Sequence, residues 1–443
     1  MAAQPPVVRA LLRFFLGWYR FFALAVRSVM RKVTGTAGTP AEERVVSGMA
    51  WDEFCDTLKA AGASLSAPGT PQDPFNQAEG YRYLARLARA GLENFLECAD
   101  VEAPNLCAIA NGSRAARVCI GSDNPDNLYE NATIDGALEY IVRGTRGTVG
   151  YLGFGTQSGQ YGKKGGLQTV DYLEADKLRY DNVPAGEAPT AGSTFTIILS
   201  AERPPDAPNW LRLEPEPREA MCIVRQTFGD RGAETAAAVT IQRRLEQQPG
   251  GSTEGGAPPP PKPLSCEALD DGLQSAAVLV AGASAMFAKW AYGFQQETNR
   301  LPLFDQERSN QAGGDPNIRY YHAYWKLEAH EALRIRAKPP PCRCWNFQLN
   351  NHWMESLDYR YHTVHTNSTL ATPDPDGSGW YTLLVAHRDP NAEGTPPTFR
   401  GNWIETTGHH QGTMCFRWVA PEVSDAELPH PLIEVVPFAE LVL

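Results

Sequence analysis

Two spacings of apolar residues divide the chain. In residues 39–104, Trp51, Phe54 and Leu58 recur on one helical face, and Tyr81, Leu84, Leu87 and Leu92 on another. Thr39-Pro40-Ala41-Glu42 opens the first helix with a capping pattern and a proline at the first helical position. The second helix is predicted from about residue 76 to 98. From 105 to 225 the texture changes to short apolar runs, RVCIG, EYIVRG, GTVGYLGFG and STFTIILS, separated by Gly, Asn, Asp and Pro. That is the punctuation of strands and turns. Residues 215–248 return to a helical texture ending in VTIQRRLEQQ, and a further helix is predicted over about 266–297. Its uncharged stretch, Gly272 to Ala288, is short for a membrane span and reads as a buried packing helix. After Asp315 strands resume as IRYYHAYWKL, EALRIRAK, RCWNFQLNN, YRYHTVH, GWYTLLVAH, NWIETT, TMCFRWV and LIEVVPF.

This order predicts an α+β fold of two antiparallel β-sandwich, jelly-roll-like halves with helical segments. The divisions fall at 1–38, 39–104 (helical), 105–225 (first sandwich), 226–312 (helical) and 313–443 (C-terminal sandwich). Within 226–312, the Pro/Gly stretch 249–263 is predicted to be a solvated loop. No internal repeat has a short fixed period.

Residues 7–31 stand apart. Wound at 100° per residue, Arg9, Arg13, Arg20, Arg27 and Arg31 fall in one narrow stripe, and Phe, Leu, Trp18 and Val occupy most of the rest. Arg20 interrupts the apolar runs, which excludes a spanning helix and argues against a signal peptide. The pattern predicts an N-terminal amphipathic helix lying in a membrane interface, with those arginines and Trp18 as contacts. Alternatives are a helix packed on the body or on a partner, or an acid-free transit peptide. Charge sharpens the division. Residues 1–41 carry +6 within a chain of net charge −11, which leaves no general attraction for nucleic acid. The expected location is membrane-associated, peripheral or monotopic, on the cytoplasmic side.

Nine cysteines without a CxxC pair predict mostly free thiols in a reducing compartment and no zinc ribbon. Asn111, Asn131 and Asn367 head glycosylation sequons, which are weak signals here.

The phrases SDNPDNLYENATI (122–134), GGDPNIRYYHAYWKLEAHEAL (313–333), CWNFQLNNHWMESLDYR (344–360) and GNWIETTGHHQGTMCFRW (401–418) resemble the family called domain of unknown function 1214. The resemblance covers most of residues 50–440. It implies paired jelly-roll sandwiches with helical insertions and supplies no chemistry.

Candidate chemistry concentrates in the C-terminal third, which holds every histidine. Asn346, Gln348 and Asn350 alternate with Trp345, Phe347 and Leu349, so the three amides share one strand face. They read either as the floor of a ligand groove or as an amide ladder satisfying neighbouring backbone. Glu355 and Asp358 read as an acid–base pair beside Trp353, or as turn-capping groups. His409 and His410, bracketed by Gly408 and Gly412, are placed on a hairpin loop between NWIET and TMCFRWV, with His387 at the same rim. Arg417 and Glu405 would face each other across that hairpin, unless Arg417 binds an anionic ligand. Trp403 joins Trp353 as a recognition surface. Histidine spacing does not favour a metal, and no nucleotide or nucleophile motif occurs, so no cofactor is expected.

These residues predict a membrane-surface protein. One reading is an enzyme, a hydrolase or lyase using His409, His410, His387, Glu355 and Asp358 as acid–base groups on a small amphipathic or lipid-like ligand. A second is a non-catalytic module for a lipid, steroid or glycan, built on Asn346, Gln348, Asn350, Trp353, Trp403 and Arg417. A third is an accessory structural subunit. Homo-oligomers are compatible with each.

Overall fold

A computed structural model describes Phe15 and residues 39–110, 118–162, 167–245, 260–311, 314–392, 399 and 401–441. The predicted membrane contacts Arg9, Arg13, Trp18, Arg20, Arg27 and Arg31, the Asn111 sequon and most of the 249–263 loop lie outside these residues.

Strand polarity decides the architecture. The first half contains β1 Cys107–Ala110, β2 Asn127–Asp135, β3 Tyr140–Thr145, β4 Tyr151–Ser158, β5 Gln168–Glu174, β6 Thr194–Ser200, β7 Trp210–Arg212, β8 Glu219–Thr227 and β9 Ala238–Arg243. Its sheets run β1-β2-β8-β4-β5 and β7-β6-β3-β9. Alternate residues of the two sheets (Ile134, Phe154, Val224 against Val142, Phe195, Ile197) close a core between them. The second half contains β10 Ile318–Lys326, β11 Glu331–Ala337, β12 Cys342–Leu349, β13 His365–Asn367, β14 Tyr381–Ala386, β15 Asn402–Glu405, β16 Gln411–Pro421 and β17 Leu432–Pro437. Its sheets run β10-β16-β12-β13 and β15-β14-β11-β17 around Trp325, Trp345, Phe347, Phe416 and Trp418. The α+β fold of two sandwich halves is as the sequence predicts.

The halves are copies of one topology. Reading β2 to β9 against β10 to β17 in chain order, both sheet orders coincide. Each copy also has a parallel pair at the same place, β6–β7 and β14–β15. The register agrees residue by residue. Tyr129 pairs with Arg225 and Arg225 with Gly153; Tyr320 pairs with Arg417 and Arg417 with Asn346. The turns entering β2 and β10 match too. Asn124-Pro125-Asp126 and Asp315-Pro316-Asn317 each close an Asx turn, with Asp126 N–H on Asn124 Oδ1 and Asn317 N–H on Asp315 Oδ1, both at 2.9 Å. The chain holds a long-period duplication that the short-period search in the sequence passes over.

Two segments differ from expectation. Residues 215–245 are not helical; they contain β8 and β9, and 246–248 lie outside the described residues. Ala238-Val239-Thr240-Ile241 is a β-branched run that pairs with β3 and buries Ile241, and tertiary pairing outweighs the apparent helical spacing. Cys98 and Cys107 form a disulfide, while the other seven cysteines are free thiols.

Helices α1 Ala41–Val46, α2 Met49–Ala61, α3 Pro74–Leu92, α4 Cys266–Phe294 and α5 Gln306–Gln311 lie outside the sandwiches. Asp73 caps α3 by accepting the Asn76 N–H, and Ser265 caps α4 by accepting that of Ala268. Helix α4 is the centre of this layer. Leu273, Ala276, Val280, Ala283, Phe287 and Phe294 pack against Phe54, Tyr83, Leu87 and Trp353. Arg44 ties α1 to α4 through Asp270 (2.8 and 3.0 Å). By length and composition α4 could cross a membrane; half of its apolar window is buried inside the protein, and Val278, Met286 and Tyr292 are exposed.

Candidate functional site

The duplicated halves meet where the loop before β2 reaches the outer face of β16 and β12, and the cleft between them is lined from both. On the second half the face carries the three amides and Arg417, all buried. Their partners come from the loop before β2. Asn346 Nδ2 donates to Asn124 Oδ1 (2.5 Å) and Asp126 Oδ2 (3.1 Å). Gln348 Nε2 donates to the Asp123 carbonyl (2.9 Å), and Asn350 Nδ2 to Ser122 Oγ (3.1 Å). Arg417 donates to Gln348 Oε1 (2.5 Å) and to the Ser122 carbonyl (2.6 Å). Asp126 also accepts from His365 Nε2 (3.0 Å) and Asn367 Nδ2 (2.9 Å). Burial alone would raise the Asp126 pKa, but His365, Asn367 and Asn346 outweigh it and hold the carboxyl below the ordinary aspartate value. Of the two readings of the amide face, the structure places the ladder, its rungs being the loop of the other half.

The first half presents the equivalent face without amides. Where the second has Asn346 and Gln348, the shared register puts Gly153 and Gly155. The ring of Tyr172 lies over both. A Cβ on Gly153 would meet Tyr172 Oη at 2.0 Å, and one on Gly155 would meet the same ring at 3.1 Å. Arg225 stands beside this ring, hydrogen-bonded to Tyr172, with Tyr129 and Asp315 close by. Burial disfavours its charge, and the nearby Asp315 carboxylate favours it. Between the halves lies a cleft of about 240 Å³. Tyr129, Tyr151, Arg225 and Glu234 line it from the first half, and Asp315, Tyr320, Arg343, Asn346 and Asn367 from the second. At its rim Arg343 lies over the Tyr151 ring (4.7 Å) and pairs with Glu174 (3.1 Å).

Among the candidates read from the sequence, only Asn346 lines this cleft. Trp353 is a packing anchor. It is buried between Tyr83 and Gly80, and its Nε1 donates to the Asn76 carbonyl (3.0 Å). Trp403 packs on a small cluster with Leu384, Ala386 and Leu441 and donates to the Ala386 carbonyl. Asp358 binds Arg360 (2.7 Å) rather than Glu355. NWIE and the strand after it form no hairpin. β15 belongs to the β14 sheet and β16 to the β10 sheet, so residues 406–410 cross between sheets. Glu405 accordingly meets His362 (3.0 Å), not Arg417.

The crossover separates the two adjacent histidines. His410 is exposed, its ring 4.9 Å from that of His387. His409 turns inward, and its Nε2 donates to Glu79 Oε2 of α3 at 2.6 Å. Asn351 Nδ2 bridges Glu79 (3.2 Å) and Glu355 (2.8 Å), and Arg86 completes the group on Glu355 (2.6 Å). The structure therefore does bring His409 and Glu355 into one network, but a buried one that holds α3 to the second sandwich. Burial raises the Glu355 pKa, partly offset by Arg86. Glu79 is lowered, because His409 more than offsets its burial. His409→Ala is expected to lose about 2–3 kcal/mol in urea unfolding by stranding Glu79, and His410→Ala under about half a kcal/mol. Equal losses would contradict the inward placement of His409.

Sequence reasoning missed Arg225, Tyr129, Tyr172 and Asp315. Two signals were present: the N-P-D…Y and D-P-N…Y phrases at 124–129 and 315–320, and the closely spaced Gly153 and Gly155 inside an otherwise apolar strand.

No protein-family model matches the sequence, and no curated protein matches it. Among solved structures, the VPA0106 protein from Vibrio parahaemolyticus is 11% identical over 81% of this chain and 98% of its own, with a TM-score of 0.41. An uncharacterized protein from Burkholderia cenocepacia is 41% identical over 90% of this chain and 99% of its own, with a TM-score of 0.76. At that identity over nearly the full length of both, the chain belongs to the same family as the Burkholderia cenocepacia protein.

Proposed function

We propose that the protein binds a small polar molecule in the cleft between its duplicated halves. The observation that carries this is the divergence of the two faces. Amides fill one with the partner loop, while the other carries Gly153 and Gly155 under the Tyr172 ring and borders the cleft at Arg225. A volume of about 240 Å³ is below the roughly 300–1,000 Å³ of pockets for drug-sized ligands, which argues against a steroid or an acyl chain. The charged groups in its wall, Arg225, Arg343, Asp315 and Glu234, argue the same way.

The acid–base reading draws less support. Asp126, Glu355, Glu79 and His409 already hold one another or their neighbours in buried pairs that fix the fold. His322 and His352 are pushed down to about 3 by burial, so both are neutral near neutral pH and poor proton carriers there.

A thermal-shift screen of polar metabolites and of lipids tests the proposal. Gly150 lines the cleft, is exposed, and has open space where a side chain would start. Gly150→Trp is therefore expected to block the cleft without lowering the melting temperature. Polar compounds should stabilise the wild type and lose that effect in Gly150→Trp. Hits confined to lipids, or hits unchanged by Gly150→Trp, would sink the proposal.

A further inference from the structure

The duplication also compares the insides of the two sandwiches. In the shared register Glu130 of β2 takes the place of Tyr321 of β10, Gln226 of β8 that of Trp418 of β16, and Leu152 of β4 that of Trp345 of β12. In the second half these positions are closed by aromatic packing. Trp345 stacks on Phe416 (5.6 Å), Trp418 meets the same ring edge-on (4.5 Å), and Tyr321 Oη lies 2.9 Å from His430 Nδ1. In the first half two of the three residues are polar, and Glu130 lines an open groove of about 540 Å³. The groove sits at one end of the first sandwich, where β3 stops at Thr145 and β6 and β9 start at Thr194 and Ala238.

Glu130 is a costly residue in that place. Ala132 and Ile134 of β2 are core residues and Leu128 packs against them, so alternation turns the Glu130 side chain to the core side as well. Its hydrogen-bond partner among the described residues is Gln226 Nε2, at 3.5 Å. That amide is committed elsewhere. Nε2 donates to the Ala237 carbonyl (3.0 Å), and Oε1 accepts the Ala237 N–H (2.7 Å). Burial pushes the Glu130 carboxyl above its ordinary value, and the bond from Gln226 offsets this only in part. A carboxylate facing a core on one long hydrogen bond lowers stability, and a bound cation would relieve it. The other charged groups of the groove are Asp181 and Arg143, so its lining is negative on balance. Leu128, Phe195 and Val239 add apolar surface.

We propose that this groove is a second binding site, for a small primary amine whose ammonium group pairs with Glu130 and whose carbon body lies along Leu128, Phe195 and Val239. An ammonium supplies the charge and the donors that Gln226 does not, and hydrogen bonds between ionised partners are the stronger kind. The volume falls in the range of roughly 300–1,000 Å³ usual for small-molecule pockets. No residue lines both this groove and the cleft between the halves.

Isothermal titration of the full chain with phenethylamine, against phenethyl alcohol and hydrocinnamate, tests this. The amine should bind, and the alcohol and the acid should bind about tenfold more weakly or not at all. Glu130→Gln keeps the shape and removes the charge. It should weaken amine binding on the order of tenfold or more, and it should raise the melting temperature of the free protein. Glu130→Tyr, which copies the second half, should fill the groove and abolish binding. Gly150→Trp, which blocks the cleft, should leave amine binding unchanged. Absence of amine binding by the wild type at millimolar concentration overturns the proposal. So does an alcohol that binds as tightly as the amine, or amine binding that Glu130→Gln leaves intact. Amine binding lost in Gly150→Trp and kept in Glu130→Gln would move the amine to the cleft and overturn it too. Loss of the fold in Glu130→Gln would make the carboxyl a structural group, against the proposal.

Discussion

Asp126→Ala should cost about 3–5 kcal/mol in urea unfolding, the size expected when one side of a buried charge-bearing network is removed. The carboxylate receives His365, Asn367 and Asn346 at once, from two strands of the other half. Alanine would leave three buried donors without an acceptor. Asp126→Asn should cost less, since it keeps one acceptor oxygen. The effect has a pH signature. The native carboxyl titrates below its unfolded value of about 3.9, so its contribution is complete above that pH and is lost as pH falls through the lower native value. Wild type and Asp126→Ala should therefore converge in stability at strongly acidic pH. A gap that stays constant into acid would show that the carboxylate's charge is not what holds the halves.

Arg86→Met should cost about 3 kcal/mol, by stranding Glu355 beneath α3. Here the sign with pH is reversed. The Glu355 carboxyl is held above its ordinary value by burial, so the fold favours its protonated form, and a rise in pH through the native value costs stability. Without Arg86 the native value rises further. The variant should lose most stability at neutral pH and recover as Glu355 takes up a proton. The double variant Arg86→Met, Glu355→Gln should regain much of the loss. Unfolding curves at neutral and mildly acidic pH check both statements, and a loss independent of pH would assign Arg86 a packing role alone.

What could be read from the sequence follows the range of the interaction. The eight strands of the second half are legible as short apolar runs between turn residues, some of them alternating, as in Trp345-Asn346-Phe347-Gln348-Leu349. The helix at 266–294 is legible from its uncharged run. The partners of the amide face are not, because Ser122 to Asp126 lie more than two hundred residues away in sequence. Periodicity within a strand says that a face is polar, not what covers it. The 406–410 segment departs from the predicted hairpin for a related reason. Gly408 and two histidines suit a hairpin and an inter-sheet crossover equally, and only the sheet to which β15 belongs distinguishes them. In β9 a β-branched run lay beside Arg, Glu and Gln residues that mimic a helix. The cleft is hidden for the same reason, because Tyr129, Arg225, Asp315 and Tyr320 come together only where the two halves meet.

The matched topology of the halves has an ancestral consequence. A single half carrying one Asx turn, one cross-strand Tyr–Arg pair and one open sheet face could pair with a second copy about a two-fold axis, each turn reaching onto the other's sheet. Such a homodimer would hold two identical clefts. Fusion of the two genes frees each copy to change alone, and here one face carries amides on the partner loop while the other carries glycines under the Tyr172 ring. Symmetry of assembly would then give way to a division of labour, in which one face holds the joint and both copies line a single cleft.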